Sequence, residues 1–240
     1  MDRMKATLDP AFTDVTWGAG GSTADLSLDI ALTAHQKGHV ANLHMTCTNI
    51  QSAGVEVDPK QAVQDALQAA YDGGIRNIVA LRGDPPAGEE EWKATEGGFS
   101  CALDLVKFIK AKFGDEFGIS VAGYPEGHPN AISEIADPST MTATEAARSS
   151  SFDGKTYACR DADYATEMAY LKAKVDAGAG KLSVMIRVPY RHHPSVEQPF
   201  SQMCIVYTTP LSSFSSFFLL SLQTLSLPKC SLMPPSSTNL

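Results

Sequence analysis

Between Phe12 and Gly178 the chain repeats one pattern four times: a short apolar run that ends in polar residues, then a longer stretch with apolar residues at helical spacing. The short runs are Phe12 to Trp17, Val40 to Thr46, Ile78 to Leu81 and Ile119 to Tyr124. Strand followed by helix followed by strand forces the strands to run parallel, because only a long crossover returns the chain to the same end. Ile78-Val79-Ala80-Leu81 is apolar throughout, as a strand covered on both faces must be. The runs end in Thr16; in His44 and Thr46; in Arg82 and Asp84; and in Tyr124, Glu126 and His128. In a closed βα barrel these tips meet at one rim, whereas an open doubly wound sheet spreads them along an edge. Four converging polar tips favour an α/β fold of the (β/α)8 TIM-barrel type. Only about four to five of the eight βα units are present.

The intervening stretches carry their own punctuation. Met1 to Leu8 reads as the last turns of a helix ended by Asp9-Pro10, which implies an element upstream. Ser22 or Thr23 can cap a helix with Leu26, Ile30 and Thr33/Ala34 on its buried face, closed by Gly38. Asp58-Pro59 is an N-cap with proline at the first helical position, and Ala62, Val63, Ala66, Leu67, Ala70 and Tyr71 form the stripe. Ser100 opens a helix striped by Ala102, Leu105, Val106, Ile109 and Phe113, and Gly114 stops it. Asp161 or Asp163 begins another, with Tyr164, Met168, Leu171 and Val175 on one side. Residues 132–158 show no period and read as an inserted surface loop. Residues 1–179 thus form a partial barrel domain with that insertion.

Beyond Ala179 the character changes. Residues 180–240 contain one acidic residue, Glu197, with frequent serine and proline, and read as an irregular, disordered tail. Within it Leu182, Val184, Ile186 and Val188 alternate as one strand would. Phe214 to Leu227 is apolar but broken by serines, short of the roughly 18–20 uninterrupted residues a membrane span needs. No membrane partner is expected. Met1-Asp2-Arg3 leads into no apolar signal segment, so the expected location is cytoplasmic. Five scattered cysteines, an odd number, fit a reducing compartment.

A net charge of −8 leaves no basic surplus for a nucleic-acid backbone. Gly18 to Gly21 could approach a phosphate or simply make a tight turn; Thr23 stands where the dinucleotide fingerprint needs glycine. His35 and His39 lack the zincin glutamate, His44 and Cys47 lack a second ligand pair, and His192-His193 lies in the unpatterned tail, so no metal site is expected. Arg82 and Asp84 are two apart at a strand end, pinned by Gly83 and Pro85-Pro86. They either cap the strand as a salt bridge or face a ligand together. Spacing alone shows no reaction.

Five stretches in order carry a resemblance: Asp14-Val-Thr-Trp-Gly-Ala-Gly-Gly-Ser22, Leu43-His-Met-Thr-Cys47, Ile78-Val-Ala-Leu-Arg-Gly-Asp-Pro85, Val121-Ala-Gly-Tyr-Pro-Glu-Gly-His-Pro129 and Leu171-Lys-Ala-Lys-Val-Asp-Ala-Gly178. Together they resemble the methylenetetrahydrofolate reductase family over roughly the first three-quarters of the chain, ending near Ala179, and the insertion resembles those of eukaryotic, especially fungal, members. The resemblance implies a (β/α)8 barrel that passes a hydride from NADH or NADPH to FAD and then to 5,10-methylenetetrahydrofolate. The product is 5-methyltetrahydrofolate. It implies FAD contacts at Thr16, Trp17, His44, Arg82, Gly83, Asp84, Cys101, Ala102, Tyr124, His128, Pro129, Asn130, Ala131, Glu167 and Lys174. Cys101 stands where the family often has tyrosine, and Glu167 where it usually has aspartate. Asp84 would also serve the folate, whose iminium form is cationic. Full-length members can form homo-oligomers. The family's proton-donating glutamate belongs to a strand before Met1, so no catalytic residue is expected here. The glutamine expected after Gly178 is not recognisable. These departures imply a truncated or mis-spliced product, inactive alone.

Overall fold

A computed structural model describes residues 1–17, 24–47, 58–83, 92–189 and 200–210. The chain begins with α1 (Asp2–Leu8), which ends where Asp9 takes a left-handed conformation at φ 40°. The sequence-predicted alternation follows: β1 (Thr13–Thr16), α2 (Ala24–Gln36), β2 (Ala41–Thr46), α3 (Pro59–Asp72), β3 (Asn77–Leu81), α4 (Ala102–Phe113) and β4 (Gly118–Gly123). After an excursion the chain returns through α6 (Asp161–Asp176) to β8 (Lys181–Pro189) and β9 (Phe200–Pro210). The main sheet has the order β1-β2-β3-β4-β8-β9, and its first five strands are parallel. Sequential parallel neighbours joined by helices are the wall of a βα barrel, here a partial one.

Register divides each strand into two faces. Thr16, His44, Val79 and Ser120 are aligned across β1 to β4, and Met45, Ala80, Val121 and Leu182 across β2 to β8. The second set joins Val15, Leu43, Ile78 and Ile119 in one buried cluster with Val63, Leu67, Leu105, Val106, Ile109 and Leu171 of the helices. Asp14, Thr16, Asn42, His44, Thr46 and Ser120 have the other parity and line the opposite face.

The helix signals act locally as expected at α3, where the Asp58 carboxylate accepts from the backbone N–H of Lys60 and Gln61. Helix α2 differs from the sequence reading. Leu26 and Ile30 are 57% and 39% exposed, while Ala34 is buried as expected, together with Ser27 and Ala31. Small residues let α2 lie close to the sheet. Leu32 sits against Gly73, where an added Cβ would come within 2.0 Å of Leu32 Cδ2.

Two further expectations are corrected. Residues 132–158 are not an unpatterned loop. They fold into β5 (Ile132–Ile135), α5 (Ala143–Arg148), β6 (Ser150–Phe152) and β7 (Lys155–Cys159), and the strands form an antiparallel sheet of order β5-β7-β6. Strands this short show no period. Their turn does carry a signal, because Asp153 and Gly154 have φ of 50° and 74°, as a tight hairpin requires. A reciprocal capping box joins Thr142 and Glu145 at the start of α5. The buried Arg148 donates to Asp161 Oδ1 at 2.6 Å and to the Cys159 carbonyl at 3.2 Å, which ties the insertion to the start of α6.

The tail is likewise not irregular from residue 180. The alternation noted at Leu182 to Val188 is β8, and β9 pairs with it antiparallel, Val184 opposite Ile205. The stretch Ile205-Val-Tyr-Thr-Thr209 is rich in β-branched and aromatic residues, which suit a pleated strand.

Candidate functional site

The polar face and the strand tips above it hold most of the candidate residues. On β1, alternation places Val15 and Trp17 on the helix side and Asp14 and Thr16 on the other. Trp17 is 3% exposed within the apolar cluster, and its indole N–H has no acceptor among the described residues. Its backbone N–H donates to the His44 carbonyl at 3.0 Å. The Trp17 ring is therefore not brought to the polar face, whereas Thr16 is. His44 lies beside Thr16 in register, buried, with Nε2 2.9 Å from Asp14 Oδ1. The same oxygen accepts from Asn42 Nδ2 at 2.7 Å.

At the end of β3 the backbone turns at Gly83, whose φ of +93° suits glycine. The carbonyls of Leu81 and Arg82 accept from the Cys47 N–H at 3.2 and 3.1 Å, which joins the tips of β2 and β3. The Arg82 guanidinium lies 5.2 Å from the centre of the Trp92 ring. Asp84 lies outside the described residues.

Cys101 immediately precedes α4 and caps it without a side-chain bond. The Cys47 thiol contacts the Cys101 carbonyl at 3.4 Å, and burial pushes that thiol up to about 12. Tyr170 of α6 reaches the same point, accepting from the Leu103 N–H at 3.4 Å. Burial pushes its hydroxyl upward, with the Cys101 thiol adding to the effect. Ala102 is buried on the packed face of α4, so only its backbone can meet a ligand.

Above β4, Tyr124 and His128 pack edge to face at 4.7 Å. His128 Nδ1 accepts the Asn130 N–H at 3.2 Å and so begins the 3-10 turn Pro129–Ala131. Burial lowers the His128 pKa, and the charges of Arg82 and Lys174 lower it further. Both mark the imidazole as neutral, with Nε2–H left to donate. Lys174 is 5% exposed and donates to the Ala122 carbonyl at 2.9 Å, with its ammonium 4.7 Å from the Tyr170 ring centre. Burial brings it down to about 8, partly opposed by Glu167. Glu167 is itself raised by burial.

The structure thus joins Thr16 with His44, and brings the charges of Arg82 and Lys174 within electrostatic reach of His128, which packs on Tyr124 and opens the Pro129–Ala131 turn, while Glu167 acts on Lys174. It leaves the Trp17 ring and the Ala102 methyl on the core side. Sequence reasoning missed Asp14, Asn42 and Tyr170 as neighbours of these groups. The parity that selected Thr16 also selects Asp14.

The donor set suits a phosphate-bearing ligand, the class to which a flavin dinucleotide belongs. Arg82, neutral His128 and buried Lys174 supply cationic and N–H donors for phosphate oxygens. A buried ammonium held by one carbonyl gains from an anion. No described helix is long and apolar enough to cross a membrane.

Comparison with known proteins identifies relatives of the chain. Residues 1–186 match the family model described as methylenetetrahydrofolate reductase. A probable methylenetetrahydrofolate reductase (NADH) of Oryza sativa subsp. japonica is 48% identical over 180 residues, covering 75% of this chain and 25% of that protein. Methylenetetrahydrofolate reductase 2 of Saccharomyces cerevisiae is 40% identical over 180 residues, 74% of this chain and 24% of its own length. The 5,10-methylenetetrahydrofolate reductase of Pectobacterium carotovorum is 38% identical over 140 residues, 57% of this chain and 41% of its own. The chain therefore spans about a quarter of the eukaryotic relatives' length.

Proposed function

The chain belongs to the methylenetetrahydrofolate reductase family, and from that premise we propose that it carries the FAD side of an oxidoreductase reducing 5,10-methylenetetrahydrofolate to 5-methyltetrahydrofolate with NADH or NADPH. One observation supports this above the others: the Lys174 ammonium is buried with the Ala122 carbonyl as its hydrogen-bond partner at 2.9 Å, and its charge and that of Arg82 reach His128. Glu167 is the carboxylate whose charge reaches Lys174, and a phosphate would add negative charge to the remaining donors.

Thr16 and His44 would hold one end of FAD. Arg82, Gly83, Tyr124, His128, the turn Pro129–Ala131 and Lys174 would hold the other, with Glu167 restraining Lys174. Cys101, Ala102 and Trp17 would contribute backbone contacts. When bound, the flavin supplies hydride transfer from the nicotinamide to the folate. Asp84 would place a carboxylate where positive charge develops on the folate nitrogen. The proposed location is the cytosol.

A specific observation favours a second reading, that this chain is a catalytically inactive fragment. Strand β9 pairs antiparallel on the edge of β8, the edge on which a barrel would add its next parallel strand. A barrel cannot close through that hairpin. The two readings meet in one experiment, in which the 240-residue chain is titrated with FAD by visible absorbance and assayed with methylenetetrahydrofolate and both nicotinamides. Reversible flavin uptake lost in Lys174→Ala, with no turnover, is expected. Absence of uptake refutes the flavin site, and turnover refutes the fragment reading.

A further inference from the structure

On the inner face of β1 and β2, two polar residues that the cofactor assignment does not use, Asp14 and Asn42, surround one that it does, His44. Asp14 Oδ1 accepts two side-chain hydrogen bonds, from Asn42 Nδ2 at 2.7 Å and from His44 Nε2 at 2.9 Å. Asn42 and His44 are both nearly excluded from solvent, whereas the Asp14 side chain retains 29% exposure. The backbone fixes the geometry, since Asp14 lies opposite Asn42 and Thr16 opposite His44 in the parallel register. All three side chains emerge on one face and cannot separate without slipping a strand.

We propose that Asp14 is a positioning residue, which holds His44 with its proton on Nε2 and so presents Nδ1 as a fixed acceptor to a ligand on the polar face. This deepens the flavin reading and rests on it for the ligand's identity, but the assignment of Asp14 itself does not. A carboxylate only accepts, so the nitrogen facing it must carry hydrogen. In a neutral imidazole the other nitrogen is then bare. Without that anchor the ring could exchange tautomers, and some of its states would turn a donor where the ligand needs an acceptor. The same oxygen takes the Asn42 amide, whose own Oδ1 has no partner among the described residues. Asn42 therefore braces Asp14 from the other side, and the carboxylate is held from two directions.

The ring nitrogens of His44 in the 15N-labelled 240-residue chain, read by long-range proton–nitrogen spectra without ligand, decide the assignment. The expected signature is a protonated Nε2 and a bare Nδ1. It should give way to mixed tautomers in Asp14→Ala and in Asp14→Leu, the similarly sized variant that cannot accept a hydrogen bond and fills the space if truncation unfolds the chain. An unchanged signature in a folded variant would overturn the proposal. Flavin titration supplies the second readout. Asp14→Ala should weaken FAD by about tenfold. The Asp14→Ala/His44→Ala double variant should lose no more than His44→Ala alone, since Asp14 acts through that ring. Additive losses would refute action through His44. Should the unaltered chain take up no flavin, the cofactor reading falls while the ring signature still decides the role of Asp14.

Discussion

The two faces of the parallel sheet are built from the same strands and obey opposite chemistry. Toward the helices, Leu43, Met45, Ile78, Ala80, Ile119, Val121 and Leu182 are essentially excluded from water and pack into one cluster. On the other face the aligned positions hold Thr16, His44, Val79 and Ser120, three of them polar, with Asp14, Asn42 and Thr46 nearby. Hydrophobic burial makes the first face the source of stability. The second gains little, because each polar group exchanges water for a partner and the net is small. Covering a sheet on both sides with apolar residues is the simpler solution. A polar layer on one side is the arrangement of a site, and the comparison predicts that mutations on the two faces have different signatures.

The largest effect belongs to the helix-facing side. Ile78→Ala removes a fully buried side chain from the middle of β3 and should cost about 2–5 kcal/mol in chemical denaturation. Ser120→Ala, equally buried but on the other face, should change stability by roughly 1 kcal/mol or less. Equal losses would show that the faces are not energetically distinct.

Next is Lys174, the one ammonium among the described lysines that is buried. Burial draws it from 10.5 to about 8, which at neutral pH corresponds to roughly 3 kcal/mol of unfavourable burial. Lys174→Met should therefore stabilise the folded chain. The gain should be on the order of 1–2 kcal/mol, because Glu167 loses its counter-charge and the Ala122 carbonyl its donor. The same variant should lose FAD. A residue that lowers stability and supports binding is the pattern expected of a site; a loss of stability in Lys174→Met would make it structural.

Much of the main sheet was legible. Short apolar runs, proline and glycine boundaries and the α3 cap all act locally, so β1 to β4 and the stripes of α3 and α4 lie where the sequence places them. What was misread depends on tertiary context or on parity. The stripe through Leu26 and Ile30 and the stripe through Ser27, Ala31 and Ala34 have the same helical spacing, and only the closeness of α2 to the sheet selects the smaller residues. In the insertion the Asp153-Gly154 turn and the Thr142–Glu145 box were readable signals, obscured by strands too short to show alternation. Trp17 was set beside the cofactor by the resemblance alone, although it shares the parity of Val15. Asp14 was passed over although it shares that of Thr16. The cluster of Arg82, His128 and Lys174 joins residues far apart in sequence, and only the resemblance, not spacing, suggested it.

A smaller effect should appear with pH. The folded state depresses protonation of His128 below its ordinary value of 6.5. Above that value the ring is neutral in both states and contributes no pH dependence. As pH falls below it, the unfolded chain takes the proton first, so stability declines until the folded-state value is passed. His128→Gln should flatten that part of the stability curve, and FAD, by bringing phosphate to the site, should reduce the slope in the unaltered chain. A wild-type curve unchanged by His128→Gln would separate His128 from the basic cluster.

The smallest expected effect tests where the apolar face ends. Leu26 is 57% exposed on α2, away from the packed Ser27, Ala31 and Ala34. Leu26→Gln removes little buried surface and exchanges two good helix formers, so stability should shift by no more than about 0.5 kcal/mol. Ala31→Gln, five positions along the same helix, must drive an amide into the sheet and should be severely destabilising. If Leu26→Gln instead cost as much as a core truncation, α2 would have to be turned so that its large side chains face inward. The helix-facing layer would then extend to Leu26 and Ile30, and β1 and β2 would be covered differently from their neighbours.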